Sequence, residues 1–133
     1  MDRRNLTTDQ AKRRWYIDLD WYQQNNRSFT ALAQRYLCPK CREQFKGEMS
    51  ASELLATIKD CCSKMPGFIT RELPILDNIF RLFLANGNQP FDVEELGSRL
   101  NELRGGDTYR TSPEILPRLL KSDRFYGLQQ VKD

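Results

Sequence analysis

Four cysteines, Cys38, Cys41, Cys61 and Cys62, fall within 25 residues of a chain that contains no histidine. A Cys-x-x-Cys knuckle turns two thiolates toward one point, and a tetrahedral Zn²⁺ site takes four such ligands at about 2.3 Å. With no histidine available, cysteine has to supply most of the set. The constraint on the fold is direct: whatever precedes Cys38 must meet whatever ends at Cys62. Pro39 shapes the knuckle turn, and Lys40 and Arg42 offset thiolate charge. Cys61 and Cys62 are adjacent, and neighbouring side chains on a helix diverge by about 100°. Both can ligate only if the helix carrying them is already ending there. Three readings stay open at this point: a structural zinc site of four cysteines, an iron–sulfur cluster, and thiols without a stable metal, including a Cys-Pro-Lys-Cys redox pair. Four cysteines suffice for a cluster, but these spacings match neither familiar ferredoxin run. The redox pair needs a strand before the motif and a helix after it, whereas helical periodicity lies before it.

The rest of the composition narrows the class. At 133 residues, 39% hydrophobic, the chain can form one globular domain or two small ones sharing a core. A chain near this length buries roughly 68% of its unfolded surface, so disulfides are not needed for stability. The missing histidine removes charge-relay triads, histidine-containing catalytic zinc sites and the ordinary neutral-pH general base. Carboxylate pairs such as Asp18 and Asp20, or Glu94 and Glu95, lack a nucleophile or base at recognisable spacing. The expectation is a binding protein rather than an enzyme, with no small-molecule substrate in view. No stretch approaches the roughly 18 apolar residues of a membrane helix, and the polar start lacks a signal-peptide core, so the chain reads as cytoplasmic and not membrane-bound.

Charge is unevenly spread. Residues 1–46 carry ten Lys/Arg against five Asp/Glu, and residues 47–105 six against nine. In the basic front, Trp15, Tyr16, Trp21 and Tyr22 lie among Arg3, Arg4, Lys12, Arg13, Arg14 and Arg27, a combination suited to phosphates and stacked bases. The competing reading is core, because Trp15, Leu19 and Tyr22 recur at helical spacing.

Punctuation places the helices. Ser28 caps a helix with Phe29, Leu32, Ala33, Tyr36 and Leu37 on its apolar face, and Cys38-Pro39 stops it. Residues 38–49 read as a loop or short ribbon. Ser50 to Glu53 is a capping box for a helix burying Leu54, Leu55, Ile58 and Cys61 or Cys62. After Pro66-Gly67, Thr70 is the expected cap of a helix with Leu73, Leu76, Ile79, Phe80, Phe83 and Leu84, ended by Gly87. Asp92 to Glu95 is a second capping box, opening a helix that carries Val93, Leu96, Leu100 and Leu103 and ends at Gly105-Gly106. Ser112-Pro113 starts a last helix with Ile115, Leu116, Leu119 and Leu120 inward, which Pro117 is expected to kink or shorten. Residues 124–131 read as a short strand.

The run Gln89-Pro90-Phe91-Asp92-Val93-Glu94-Glu95-Leu96, followed by the stretch from Ser112-Pro113-Glu114-Ile115-Leu116 to Phe125, resembles the HARE-type winged helix-turn-helix of the bacterial RNA polymerase delta subunit. The resemblance covers residues 70–131, under half the chain. It implies a nucleic-acid or transcription-machinery setting, with the helix from Pro113 to Lys121 in the recognition position. The fold expected is therefore mainly α: a helical N-terminal metal-binding part, residues 1–66, and a winged helix-turn-helix-like C-terminal part, residues 67–133, with a short strand. Arg13, Arg14, Arg110, Arg118, Lys121 and Arg124 are the candidate nucleic-acid contacts, and Cys38, Cys41, Cys61 and Cys62 the candidate metal ligands. The expected function is a DNA- or transcription-associated accessory protein. The alternatives are an iron–sulfur or thiol redox sensor, and a protein-docking module that does not bind nucleic acid.

Overall fold

A computed structural model describes residues 12–45, 47–104 and 111–132. The fold is mainly α with a small sheet. In chain order the elements are β1 (Arg14–Ile17), α1 (Leu19–Gln24), α2 (Phe29–Gln34), α3 (Pro39–Gln44), α4 (Ala51–Asp60), a 3-10 turn (Cys62–Lys64), α5 (Ile75–Ala85), β2 (Phe91–Asp92), α6 (Val93–Arg104), α7 (Leu116–Ser122) and β3 (Leu128–Gln130). Among the described residues no helix is long and apolar enough to cross a membrane.

β1 replaces the start of the helix suggested by the spacing of Trp15, Leu19 and Tyr22, whereas Leu19 and Tyr22 do lie in α1. Residues 14–17 alternate outward and inward as aromatic and β-branched residues do on a pleated surface. The side chain of Asp18 then accepts the Asp20 N–H at 3.0 Å and opens α1. Trp15 and Tyr22 are buried all the same, so two of the four front aromatics are core. β1 lies in the middle of the sheet, antiparallel to both neighbours in the order β2-β1-β3. Trp15 pairs with Phe91 on one side and Gln130 on the other. Ahead of β2, Asn88 continues the pairing: its side chain accepts the Ile17 N–H at 2.8 Å and donates to the Ile17 carbonyl at 2.9 Å. Asn88 adopts a positive φ of 62°, a conformation in which Asn is several-fold enriched.

Both capping boxes form, Ser50 with Glu53 and Asp92 with Glu95. Ser28 caps α2 through the Ala31 N–H, and Gly87, at φ 75°, follows α5. Three expectations change. Residues 39–44 form a helix rather than a loop, because Pro39 at its first position loses no hydrogen bond there. α5 begins at Ile75 after Pro74, and Thr70 instead offers its carbonyl to the buried Asn78 side chain at 2.6 Å. α7 begins at Leu116 after a turn over Ser112 to Ile115, so the helix is shorter than expected, and Pro117 lies in its first turn, where no kink results. The expected ending at Gly105-Gly106 lies outside the described residues.

The described residues of the two expected parts, 12–66 and 67–132, share one sheet and one apolar core. A chain of rings runs across that divide: Tyr22 to Phe29 at 5.5 Å, Phe29 to Phe80 at 6.4 Å and Phe80 to Tyr126 at 5.0 Å between centroids. The Tyr22 hydroxyl ends in a hydrogen bond to the Tyr126 carbonyl at 2.6 Å.

Candidate metal centre

The first pair of thiols is set by the start of α3. Cys38 precedes a proline and is extended, at φ −71° and ψ 160°, so it stands outside the helix that Cys41 belongs to. A backbone hydrogen bond from Cys41 pulls the Cys38 thiol down to about 7, more than burial raises it. The second pair is set by the end of α4. Cys61 sits at φ −128° and ψ −66°, which breaks the helical path between Asp60 and the 3-10 turn starting at Cys62. That break removes the divergence of neighbouring helical side chains, so Cys61 and Cys62 reach the same place.

All four sulfurs lie within 4.8 Å of one another. Cys38 Sγ and Cys61 Sγ are 3.9 Å apart, and the Cys38 N–H donates to Cys62 Sγ at 3.1 Å. Cys41 and Cys62 are buried, and Cys61 is the most open of the four. Burial pushes the Cys41 thiol up, with the other three thiols adding to the shift. Burial likewise raises Cys62. Four thiols so placed are positioned to hold a metal ion, since a cation offsets the charge that the buried sulfurs resist taking alone. All four sequence-derived ligands are therefore brought together.

The candidate nucleic-acid residues are not gathered as tightly. Arg13 and Arg14 are exposed at the start of β1, and Arg118 and Lys121 are exposed one turn apart on α7. Arg124 is exposed, but its guanidinium donates to the carbonyls of Lys121 and Asp123, both at 2.9 Å, at the end of α7. Arg110 lies outside the described residues. An open groove of about 630 Å³ between α7 and β3 contains Lys121, Arg124 and a third cation, Lys132, which the sequence did not single out. Its lining includes Trp15, whose buried indole N–H has no partner among the described residues. The bond from Val131 N–H to the Arg14 carbonyl, 2.8 Å, brings Arg14 to the same end of the sheet. Only that antiparallel register puts the chain's front and its last residues together, so no local signal pointed to Lys132. Comparison with protein-family models, curated proteins and solved structures gives no match, and the reading of both sites rests on their geometry.

Proposed function

We propose that this chain is a non-enzymatic, zinc-stabilised binding module of a DNA- or transcription-associated accessory protein. The observation that carries it is the compactness of the four sulfurs. Thiolates at about 2.3 Å from one tetrahedral ion stand roughly 3.8 Å from each other. The Cys38 to Cys61 separation of 3.9 Å matches that scale. An iron–sulfur cluster puts iron and sulfide between its thiolates and needs them further apart. The site then acts as a clamp between α3 and the end of α4. The tetrathiolate around Zn²⁺ carries a formal charge of −2, which Lys40 and Arg42 on α3 and Lys59 and Lys64 beside the second pair offset.

The transcription setting rests on the second half. The order α5, β2, α6, α7, β3 matches what a winged helix-turn-helix has up to its first wing strand, which supports reading α7 as the recognition helix. The strand expected from a wing hairpin has a counterpart in β1, which lies between β2 and β3. Lys121, Arg124 and Lys132 around the groove, with Arg118 one turn away, supply phosphate contacts.

Metal analysis of protein purified without added metal tests the first part. One zinc per chain in a colourless sample is expected. A brown sample containing iron and sulfide points to the cluster, and neither metal removes both readings. Titration against mixed-sequence DNA and RNA at two salt concentrations tests the second part. Each neutralised phosphate contributes close to one unit of salt slope, so replacing Arg14, Arg118, Lys121 and Lys132 together by Ala should flatten it by about two to four units. Absence of salt-sensitive binding at low salt removes the nucleic-acid reading.

A further inference from the structure

The outer side of α2 is uncovered between two exposed phenylalanines. Two shallow grooves share Ala31 and Arg35 there. One, of about 600 Å³, leads to Phe45, and the other, of about 310 Å³, leads to Phe125. Phe45 is 41% exposed and Phe125 44%, in a chain whose other large apolar side chains are mostly buried. Leu37 and Met49 add aliphatic surface to the first groove, and Leu32 to the second.

The rim is cationic. Arg27 stacks over Phe125 at 4.8 Å and donates to the Phe125 carbonyl at 3.0 Å. Arg42 donates to the Arg35 carbonyl at 2.6 Å. Among the described residues, Arg27, Arg35 and Arg42 have no carboxylate within ion-pair distance, and no acidic residue lines either groove. Arg27 and Arg42 are held against apolar surface by backbone carbonyls and a ring, and with Arg35 they face outward without a described carboxylate to neutralise them.

Two partner classes present negative charge to such a face. Single-stranded nucleic acid needs successive rings on which neighbouring bases stack. Here the two rings stand on opposite sides of α2 with Arg35 and aliphatic surface between them. An amphipathic helix needs apolar hollows in a row and cations at their rim, which is the arrangement present. We propose that the outer face of α2, between Phe45 and Phe125, docks an acidic amphipathic helix of a partner protein. Its apolar side chains enter the two grooves and its carboxylates meet Arg27, Arg35 and Arg42. The inference rests on the metal centre in one respect: Cys38 and Cys41 anchor α3, which carries Arg42 and leads into Phe45.

The test uses the full chain, with metal content measured on the same sample. The probe is a labelled Leu/Glu peptide with Leu at i, i+3, i+4 and i+7, and its controls are a scrambled peptide of equal charge and a single-stranded oligothymidine. The patterned peptide is expected to bind at least about tenfold more tightly than the scrambled one. Arg35→Glu should weaken it by about tenfold or more, and Phe45→Ser or Phe125→Ser severalfold, with circular dichroism and metal content unchanged. Equal affinity for the scrambled peptide overturns the proposal. So does preference for the oligonucleotide that the same substitutions abolish, or self-association of the chain that Arg35→Glu removes. No peptide binding at full metal content counts against docking, whereas peptide binding without metal supports docking and counts against the clamp.

Discussion

Asp123 is the charge on which the end of the chain turns, and replacing it gives a sharp test. It is 5% exposed, and its carboxylate accepts three backbone N–H groups. Oδ1 takes those of Phe125 and Tyr126, and Oδ2 that of Leu128, all at 2.9 Å. Asp123 therefore gathers the N–H groups of the turn from α7 into β3, and with them the spacing of Lys121 and Arg124 from Lys132. Asp123→Asn preserves the shape and leaves the carbonyl oxygen to accept from Phe125 and Tyr126. Its amide group then faces the Leu128 N–H, donor against donor. A lost hydrogen bond to a charged group costs about 1.5–3 kcal/mol, so Asn should destabilise by about 2 kcal/mol. Asp123→Ala abandons all three. Relief of the buried charge offsets part of that loss, and the net should be about 3–4 kcal/mol. Urea unfolding of metal-replete protein measures both, with an unchanged m-value showing that the native and denatured states keep their compactness. If Asn stays within about 0.5 kcal/mol of the parent, or loses as much as Ala, the three-bond account of this turn is wrong.

Further outcomes follow from close packing and burial. Gly97→Ala on α6 drives a Cβ into the backbone carbonyl of Thr111. A carbonyl cannot swing aside as a side chain can, so the variant should lose about 1–2 kcal/mol despite the better helix propensity of Ala, read by thermal unfolding. Asn88→Ala removes two bonds to Ile17 and leaves Ala at a positive φ, for a loss of about 2–3 kcal/mol in the same measurement; Asn88→Gly should restore only the backbone share. Burial raises the Tyr22 and Tyr36 hydroxyls well above their ordinary value, with Asp123 adding to Tyr22 and Asp77 to Tyr36. A raised folded value favours the neutral form, so their stabilisation is complete below about pH 10 and is lost as pH rises beyond it. Unfolding free energy measured from pH 9 to 11 should fall, and the Tyr22→Phe, Tyr36→Phe double variant should show a shallower fall. An equal slope in the double variant would contradict the assignment.

Much of the helical framework was legible because its signals are local. Ser50 with Glu53 and Asp92 with Glu95 satisfy backbone donors within one turn, and Gly87 supplies a positive φ immediately after α5. The four candidate ligands were legible for a different reason: without histidine, a soft-metal site of this kind had to draw on Cys38, Cys41, Cys61 and Cys62. What the sequence could state about Cys61 and Cys62 was only a condition, that the helix end there, and the backbone break at Cys61 meets it.

Tertiary structure decided the rest. Trp15 and Tyr22 match a helical period, but Trp15 lies in a strand because Phe91 and Gln130, distant in sequence, pair with it. By local rules Pro117 kinks or shortens its helix, and the preceding turn decides for the shorter one, placing Pro117 where a missing N–H costs nothing. Lys132 joins Lys121 and Arg124 only through the register of β3 on β1, and Arg27 meets Phe125 across 98 residues of chain. Caps, turns and ligand chemistry are settled by side chains reaching their own neighbours, within a few residues. Strand order, groove walls and the pairing of distant cations are settled by the burial of one shared core, where the gain depends on which segments meet and not on what either segment prefers alone.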